Sequence, residues 1–290
     1  GGGVIGCEFA SIFSAFGVQV TIIEFLPRIL TTEEEEISKR ITMQFKKNGV
    51  KVLTNTGVQQ ITKKEKRLVL HLDNNPCMET DKALMCVGRK PLNNIKWEKM
   101  ELKTNKEAIV IDDTMQTNYD KIYALGDVTG KLQLAHTASK QGLIAAKHIA
   151  SRIYPDKYEA PVEPLNYINI PRCTFTHPEI ASVGYLQKDA EAIFGEVKVG
   201  KFPFSANGKA VAMGNTTGFV KTIARKDTLE LVGMHIIGPN ATELIAQGAI
   251  MIANHNTAEE IDSVVFAHPT LAETIMEAME DLQNISIHKI

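Results

Sequence analysis

The spacing of apolar residues predicts a helix in the first segment of the chain. In VIGCEFASIFSAFG, five apolar side chains recur at intervals of three and four residues, which is typical of one face of an amphipathic helix. These side chains are Ile5, Phe9, Ile12, Phe13 and Phe16. Gly17 is a suitable C-terminal cap, and the β-branched run VQVTIIEF that follows predicts a buried strand.

A second helix and a second strand follow directly. The segment EEEEISKRITMQFKKNG places Ile37, Ile41 and Phe45 on one face, and Thr32 is the predicted N-cap. The glutamates at 33–36 could be interpreted as a metal site. Acidic residues are favoured in the first turn of a helix, however, so we expect these glutamates to be solvated. VKVLT is the next predicted strand.

The later segments follow a different pattern. Residues 59–84 are strand-like and interrupted by DNNP, which predicts a small antiparallel meander. LAHTASKQGLIAAKHIASRIY predicts one long helix. Beyond it, the predicted strands KFPFSA, GFVKTIAR and LELVGMHIIG precede the predicted helices ATELIAQGAIMIANH and LAETIMEAMEDL. Strands grouped before helices indicate an α+β domain with an antiparallel sheet.

Glycines at the start of the first helix suggest nucleotide binding. Gly1, Gly3 and Gly6 fit the spacing G-x-G-x-x-G, in which the glycines permit a tight turn, backbone approach to a pyrophosphate and close packing. The pyrophosphate would lie at the helix N-terminus, where N–H groups and the dipole favour anions. Glu24 ends the next strand, where a carboxylate binds ribose hydroxyls and repels a 2′-phosphate. The pattern predicts a dinucleotide-binding βαβ fold without its first strand, and NAD rather than NADP.

Composition and charge narrow the classes of partner. The chain has 290 residues, 44% of them hydrophobic, and its formal net charge of −2 argues against a nucleic-acid partner. No apolar run approaches the roughly 20 residues of a membrane span. A secretory signal is not visible, although a sequence that lacks its natural start could not show one. The four scattered cysteines (Cys7, Cys77, Cys86 and Cys173) lack metal-ligand spacing, so we expect reduced thiols and no metal site.

Several further segments carry a family resemblance. TNYDKIYALGDVTG resembles the FAD-binding segment of the pyridine nucleotide–disulfide oxidoreductases, and CVGRKPLN resembles the crossing from their NAD domain to their FAD domain. FTHPEIASVG, KFPFSANGKA, GMHIIGPNATELI and FAHPTLAE resemble the interface domain of one branch, the dihydrolipoamide dehydrogenases. The resemblance extends from residue 1 to about residue 280.

The resemblance implies a fold and a division into domains. The expected architecture is an α/β, Rossmann-like dinucleotide-binding domain, then part of a second, FAD-type domain, then an α+β interface and dimerisation domain. These would comprise residues 1–92, with the first strand missing, residues 93–160 and residues 161–290.

The resemblance also assigns cofactor contacts. Glu8, Val58 and Gly88 join Gly1, Gly3, Gly6 and Glu24 as expected NAD-binding residues. Asp127 matches the aspartate that binds the flavin ribitol in that family. A second flavin-contacting stretch matches Gln133, Leu134, Ala135 and His136.

The segment FAHPTLAE contains the expected catalytic pair. Because proline favours the first helical position, we expect a helix to begin near Pro269, with His268 just outside it and Glu273 in its first turns. A carboxylate on one imidazole nitrogen fixes the tautomer and raises the basicity of the other nitrogen. The resemblance implies that His268 exchanges protons with a dithiol substrate and that Glu273 orients it.

The resemblance also indicates what this sequence does not contain. The flavin-proximal disulfide of the family joins two cysteines separated by four residues, and no two cysteines here have that spacing. The first FAD glycine motif and the first strand of the NAD domain are absent too. We therefore expect the sequence to begin inside a longer protein and to be inactive by itself.

The implied function is that of a dihydrolipoyl dehydrogenase. It would oxidise protein-bound dihydrolipoamide to lipoamide with FAD and reduce NAD. The expected partners are lipoyl domains of 2-oxoacid dehydrogenase or glycine cleavage complexes, and a second copy in a homodimer whose disulfide site His268 completes. No nucleic-acid or membrane partner is expected. The compartment would be the cytoplasm in a bacterium, and otherwise the mitochondrial or plastid matrix.

Two alternative interpretations remain at this point. A glutathione-type reductase is opposed by Glu24 and Gly6, because NADPH users tend to have basic residues after that strand and alanine at the third glycine. A mercury-type reductase is opposed by His268 and by the lack of a C-terminal cysteine pair. The chain could instead be a non-catalytic nucleotide-binding or dimerisation module, which an upstream CxxxxC pair would exclude.

Overall fold

The computed structural model describes residues 1–73, 76–92, 100–160 and 163–289. The chain forms two compact units, one comprising Gly1–Val87 with Pro171–Ile290 and the other Gly88–Ile170. The domain boundaries expected at 92/93 and 160/161 adjoin residues 93–99 and 161–162, which lie outside the described residues. Within the described parts of the chain, none of the helices is long and apolar enough to cross a membrane.

The first part of the larger unit has the expected alternation of helices and strands. It comprises α1 (Val4–Ala15), β1 (Thr21–Ile23), α2 (Glu35–Lys47) and β2 (Lys51–Leu53). Strands β1 and β2 pair in parallel, so α2 is the crossover of a β-α-β unit. The predicted meander is confirmed as an antiparallel sheet of β3 (Val58–Lys64), β4 (Arg67–Leu72) and β5 (Met78–Thr80). Residues 74–75 of its DNNP turn lie outside the described residues.

The predicted apolar stripe of α1 lies on the exposed side of that helix. Its five members are between 37% and 82% exposed, whereas Cys7 and Ala10 are buried. The helix packs through small residues because it approaches the backbone around Gly1 and Cys86 closely. Burial raises the pKa of the Cys7 thiol to about 12, so this cysteine is an inert packing residue.

The smaller unit contains one long helix. The predicted helix is confirmed as α3 (Ala135–Ile153). The unit also contains the short strands β6 (Thr104–Asn105) and β7 (Ala108–Ile109). Ile144 and Ala145 of α3 pack with Met115 in its core.

The rest of the larger unit is the expected α+β domain. Its strands are β8 (Arg172–Thr174), β9 (Glu179–Gly184), β10 (Val197–Pro203), β11 (Phe219–Arg225) and β12 (Leu231–Gly238). They form one antiparallel sheet in the order β10-β11-β12-β9-β8. Its helices are α4 (Gln187–Phe194), α5 (Gly208–Ala212), α6 (Ala241–Ala253), α7 (Ala258–Asp262) and α8 (Glu273–Glu280).

The two faces of this sheet contact different helices. Val220 and Ile236 on one face belong to a core cluster that includes residues of α6 and α8. On the other face, Phe219 and Ile237 pack with Ile37 and other residues of α2. The sheet thereby joins the β-α-β unit to the C-terminal helices within one compact unit.

A row of polar residues crosses the second face and includes one residue from every strand. Their order across the sheet is Lys201, Lys221, His235, Ser182 and Arg172, and each lies directly opposite the next. We call these five residues the charged row. Lys221, Ser182 and His235 are completely or almost completely buried.

Two of the four glutamates at the start of α2 are buried against the charged row, which corrects the expectation that the whole run is solvated. Glu33 and Glu34 are buried. The Lys221 Nζ lies 2.7 Å from Glu34 Oε2, and the Arg172 Nε lies 3.9 Å from Glu33 Oε1. Burial raises the pKa of Glu33, whereas for Glu34 hydrogen bonds from Lys221 and the Gln187 N–H outweigh burial and lower the pKa. Local sequence indicated a helix start, but the neighbouring sheet determines the environment.

The same glutamates also change the helix start. Glu34 is the N-cap of α2, without a side-chain capping bond, so the prediction that Thr32 caps the helix is wrong. Glu36 pairs with Lys201 and lies 3.4 Å from the Lys221 ammonium. The carboxylates of Glu34 and Glu36 thus pair with the lysines of the sheet and do not cap the backbone N–H groups of α2.

His235 should make stability depend on pH. Burial is the main reason that its pKa falls from 6.5 to about 4, and the positive charges of Arg172 and Lys221 act in the same direction. The Tyr185 carbonyl oxygen, 2.9 Å from Nε2, and the Glu34 carboxylate oppose this shift. The unfolded chain takes up this proton below pH 6.5, whereas the folded chain does so only near pH 4. The contribution of neutral His235 to the free energy of unfolding is therefore fully present above pH 6.5. It falls by about 1.4 kcal/mol per pH unit as the pH decreases from 6.5 towards 4. Urea unfolding at several pH values should show a shallower dependence for His235→Gln, and equal slopes for both proteins would contradict this assignment.

Candidate functional site

Close packing explains two of the three glycines at the start of α1. A Cβ atom added to Gly1 would lie 2.0 Å from Cys86 O, and one added to Gly6 would lie 2.0 Å from Gly1 O. A Cβ added to Gly3 meets no described atom within 4 Å. The backbone at Gly3, the N-cap of α1, is therefore open to a ligand, as a pyrophosphate at a helix N-terminus requires.

Glu24 lies against this glycine loop. It follows β1 directly, and its Oε2 accepts a hydrogen bond of 2.5 Å from the Gly2 N–H. Its Oε1 accepts a hydrogen bond of 2.8 Å from the Leu26 N–H. The carboxylate is thus held beside the predicted pyrophosphate site, at the distance along the chain where ribose hydroxyls are bound in such folds.

The other expected NAD contacts of the larger unit are Glu8 and Val58. Glu8, on α1, accepts a hydrogen bond of 2.9 Å from the Phe175 N–H, and Ser11 one turn later accepts a bond of 3.0 Å from the His177 N–H. The loop between β8 and β9 therefore contacts α1 through half-buried residues beside its exposed apolar stripe. Val58 is the first residue of β3, and its side chain is exposed.

In the smaller unit, Arg89 connects two of the expected flavin contacts. Its guanidinium lies 3.2 Å from the Asp127 carboxylate and donates a hydrogen bond of 2.9 Å to Gln133 O. The sequence interpretation missed Arg89, although it lies in the quoted segment CVGRKPLN beside Gly88. Gly88 itself has a φ of +114°, a conformation that favours glycine.

Asp127 lies on a tight turn supported by a buried amide. The turn is a 3₁₀ helix, Gly126–Thr129, and Gly126 has a φ of +75°. Gln141 of α3, fully buried, accepts the Gly126 N–H at 2.7 Å and donates to the Tyr167 hydroxyl at 2.9 Å. The second expected stretch leads into this same helix: Gln133 and Leu134 precede α3, and Ala135 and His136 begin it.

The structure brings His268 and Glu273 together. The His268 Nδ1 lies 2.8 Å from Glu273 Oε1, and the Thr270 N–H donates a hydrogen bond of 2.7 Å to Glu273 Oε2. Both carboxylate oxygens are therefore occupied. The His268 side chain is 76% exposed and that of Glu273 is 19% exposed. Because Nδ1 faces the carboxylate, Nε2 is the ring nitrogen that can exchange a proton with a substrate.

The helix after His268 starts later than expected. Helix α8 begins at Glu273, with Ala272 as its N-cap, so Pro269 is not its first residue. The Glu273 carboxylate takes the Thr270 N–H and closes residues 267–272 into a loop. The pair is thus formed by His268, in the loop before the helix, and Glu273, the first residue of α8.

A histidine–glutamate contact alone does not distinguish this site. His255 Nδ1 lies 2.7 Å from Glu230 Oε1, and His288 Nδ1 lies 2.5 Å from Glu277 Oε1. Hydrogen bonding to Glu277 raises the pKa of His288. Among the residues that the structure describes, no group of three or more His, Cys, Asp or Glu side chains could hold a metal ion.

Known families match almost the whole chain. A family model described as pyridine nucleotide-disulphide oxidoreductase matches residues 1–142, and the dimerisation domain of the same family matches residues 170–279. Among curated relatives, a dihydrolipoyl dehydrogenase of Bacillus subtilis is 37% identical over 290 residues, covering 99% of this chain and 61% of the relative. A dihydrolipoyl dehydrogenase of Chlamydia pneumoniae is 39% identical over 294 residues, with the same coverage.

Solved structures give the same result. LpdA from Mycobacterium tuberculosis superposes with a TM-score of 0.88 at 28% identity, covering 97% of this chain and 60% of LpdA. The HOCl-induced flavoprotein disulfide reductase RclA from Escherichia coli superposes with a TM-score of 0.85 at 26% identity, covering 97% of this chain and 63% of RclA. The chain spans about three fifths of the length of these relatives. From the glycine loop, the antiparallel sheet and these matches together, the chain belongs to the pyridine nucleotide-disulphide oxidoreductase family.

Proposed function

We propose that this chain belongs to a dihydrolipoyl dehydrogenase, which oxidises protein-bound dihydrolipoamide and reduces NAD. The observation that carries this proposal is the His268–Glu273 contact, with both carboxylate oxygens held, in the region that matches the dimerisation domain. The curated relatives at 37–39% identity carry that name and support it. By the intact enzyme we mean this chain together with the flavin-binding segment and the redox disulfide that the proposal requires.

In the proposed chemistry, His268 is the base that removes a proton from the dithiol during its oxidation. His268 takes a proton from a substrate thiol through Nε2, and Glu273 holds Nδ1 so that the ring keeps one tautomer and one orientation. A thiol with an ordinary pKa near 8.5 needs such a base at neutral pH, because the thiolate is the reactive form. Two electrons and two protons leave the dithiol: the hydride that NAD takes up accounts for both electrons and one proton, and the second proton leaves through His268 to solvent.

The family uses FAD and NAD(H), and the residues present suit both. When bound, FAD supplies two-electron transfer between the dithiol and the nicotinamide. We propose that the open backbone at Gly3, between the packed glycines Gly1 and Gly6, receives the NAD pyrophosphate. Glu24 would exchange its backbone contacts for ribose hydroxyls, and Glu8, Val58 and Gly88 complete the proposed NAD set.

The proposed flavin contacts lie in the smaller unit. Asp127 would bind the ribitol, and Gln133, Leu134, Ala135 and His136 would contact the flavin from the start of α3. The match to the dimerisation domain supports a homodimer. We further propose that the second copy supplies the disulfide to His268, that lipoyl domains of 2-oxoacid dehydrogenase or glycine cleavage complexes are the substrates, and that the enzyme acts in the cytoplasm or an organelle matrix.

Cofactor choice provides the test of this function. We expect the intact enzyme to oxidise dihydrolipoamide with NAD as the acceptor. The kcat/KM for NADP should be at least about 10-fold lower than that for NAD, because Glu24 repels a 2′-phosphate. Glu24→Ala should narrow that preference, measured as the ratio of the two kcat/KM values. Glu79→Ala, which removes an exposed carboxylate on β5, is the matched control. Turnover of glutathione with NADPH instead of dihydrolipoamide with NAD would refute the proposed function.

A further inference from the structure

The loop that carries His268 is tied to a distant part of the chain by a buried amide. Asn207 lies 63 residues before Thr270, and its side-chain Nδ2 donates a hydrogen bond of 3.0 Å to Thr270 O. Only 4% of Asn207 is exposed to solvent. The exposed His268 ring itself has little packing around it, so its orientation depends on the hydrogen bonds that hold the loop.

The orientation of the Asn207 amide is fixed from both ends. Its Oδ1 accepts a hydrogen bond of 2.9 Å from the Ala210 N–H and so caps α5. An amide flip would place the NH₂ group against that N–H and the carbonyl oxygen against Thr270 O. Both contacts would then be repulsive, so the amide must donate to the loop.

Three hydrogen bonds connect this amide to the imidazole. Asn207 fixes the Thr270 carbonyl at 3.0 Å, the Thr270 N–H meets Glu273 Oε2 at 2.7 Å, and Glu273 Oε1 meets His268 Nδ1 at 2.8 Å. Thr270 is thus held on both sides, through its two flanking peptide groups. Its hydroxyl also donates a hydrogen bond of 2.7 Å to Ala267 O, which closes the loop on itself.

We propose that Asn207 is a positioning residue for the His268–Glu273 pair. This inference rests on the proposed function of that pair and extends the site to the segment KFPFSANGKA, in which the sequence analysis assigned no catalytic or binding residue. Without the amide donor, Thr270 and the Glu273 carboxylate can shift together, and His268 loses its alignment with the substrate thiol. Misplacement of a catalytic group by about 1 Å can cost up to ~100-fold in rate.

Asn207→Asp separates positioning from folding. The substituted carboxylate can still accept the Ala210 N–H and cap α5, but it cannot donate to Thr270 O. We expect kcat/KM for dihydrolipoamide to fall by roughly 10- to 100-fold in the intact enzyme. Electron transfer from NADH to an artificial acceptor, which needs no base for a thiol, should remain at the wild-type rate.

Asn254→Asp is the matched control. Asn254 lies at the end of α6 in the same domain, and its Nδ2 donates a hydrogen bond of 2.8 Å to Ile250 O. The substitution therefore removes the same kind of amide donor, but outside the loop that carries His268. This variant should keep both activities. In a His268→Gln background, Asn207→Asp should cause little further loss, because two residues that act through one step are not additive.

A spectroscopic measurement tests the link without turnover. In protein labelled with ¹⁵N-histidine, the Nδ1–H signal of His268, which is hydrogen-bonded to Glu273, is identified by its loss in His268→Gln. Asn207→Asp should weaken this signal and leave that of His255 unchanged, since His255 pairs with Glu230 and not with Glu273.

The outcomes separate this inference from the proposed function. Full dithiol turnover in Asn207→Asp, or an equal loss of dithiol and acceptor activities, overturns the positioning role. Full turnover in His268→Gln overturns the proposed function instead, and the Nδ1–H signal then still decides whether Asn207 holds the pair.

Discussion

We expect His268→Gln to lower dihydrolipoamide oxidation by the intact enzyme by ~100- to 10,000-fold, the range that a general base contributes. Glutamine can still contact Glu273, but its amide cannot take a proton from a thiol at neutral pH. The proposed FAD and NAD contacts lie on other segments, so reduction of an artificial acceptor by NADH should be unchanged. Steady-state kcat/KM values for the two reactions provide the measurement.

His255→Gln controls for the substitution itself. His255 contacts Glu230 as His268 contacts Glu273, and its side chain is also largely exposed. We expect no loss for this variant and a smaller loss for Glu273→Gln, because Glu273 orients the ring without exchanging the proton. A loss in His255→Gln equal to that in His268→Gln would refute a specific role of His268.

Subunit mixing determines whether the base acts across a dimer. One inactive enzyme lacks His268 and the other lacks the redox disulfide. Each heterodimer should contain one working site, so mixing under exchange conditions should restore activity. If heterodimers form without any recovery of turnover, His268 serves its own subunit.

The second large effect concerns the charged row. Lys221→Met should lower the free energy of unfolding by about 3–5 kcal/mol, because removal of one partner leaves the Glu34 carboxylate buried without its cation. Chemical denaturation of the intact enzyme, followed by circular dichroism, measures the change. Lys39→Met makes the same substitution in an exposed pair with Glu35 on α2, where the cost should be below about 1 kcal/mol.

A double variant distinguishes lost charge pairing from lost packing. Combining Lys221→Met with Glu34→Leu removes both members of the buried pair and should recover most of the lost stability. If the double variant is no more stable than Lys221→Met, the loss arises from packing of the lysine stem. Equal stability of the Lys221→Met and Lys39→Met variants would show that the buried cation is dispensable.

Sequence periodicity predicted these elements of the fold, but it predicted the buried side correctly for α2 and wrongly for α1. The stripe Ile37, Ile41 and Phe45 of α2 is buried as its spacing indicated, and α3 and the antiparallel sheet also agree with the pattern. In α1 the pattern predicted the helix, yet the small Cys7 and Ala10 form its buried side. Periodicity reports which residues share a helix face, whereas a close backbone approach determines which face can pack.

The candidate site shows a similar division. The contact between His268 and Glu273 was anticipated because FAHPTLAE resembles a family segment in which such a pair is expected. Asn207 and Arg89 were not anticipated, because their partners lie tens of residues away and their roles depend on backbone carbonyls. A carbonyl that needs a donor has no signature in the amino-acid sequence, so such support becomes visible only once the chain is folded.

The charged row has a consequence for how the sheet selects its own pairing. A slip of one residue in any strand turns all its side chains to the opposite face. Slipping β11 by one residue would replace Lys221 in the row by Val220 or Thr222 and carry the ammonium group into the core beside α6 and α8. Lys201, Lys221 and Arg172 are the cations of the row, so a slip of β10, β11 or β8 leaves a glutamate at the start of α2 without its cation. Electrostatics thus favours the observed alignment of these three strands, in addition to the apolar residues on both faces of the sheet.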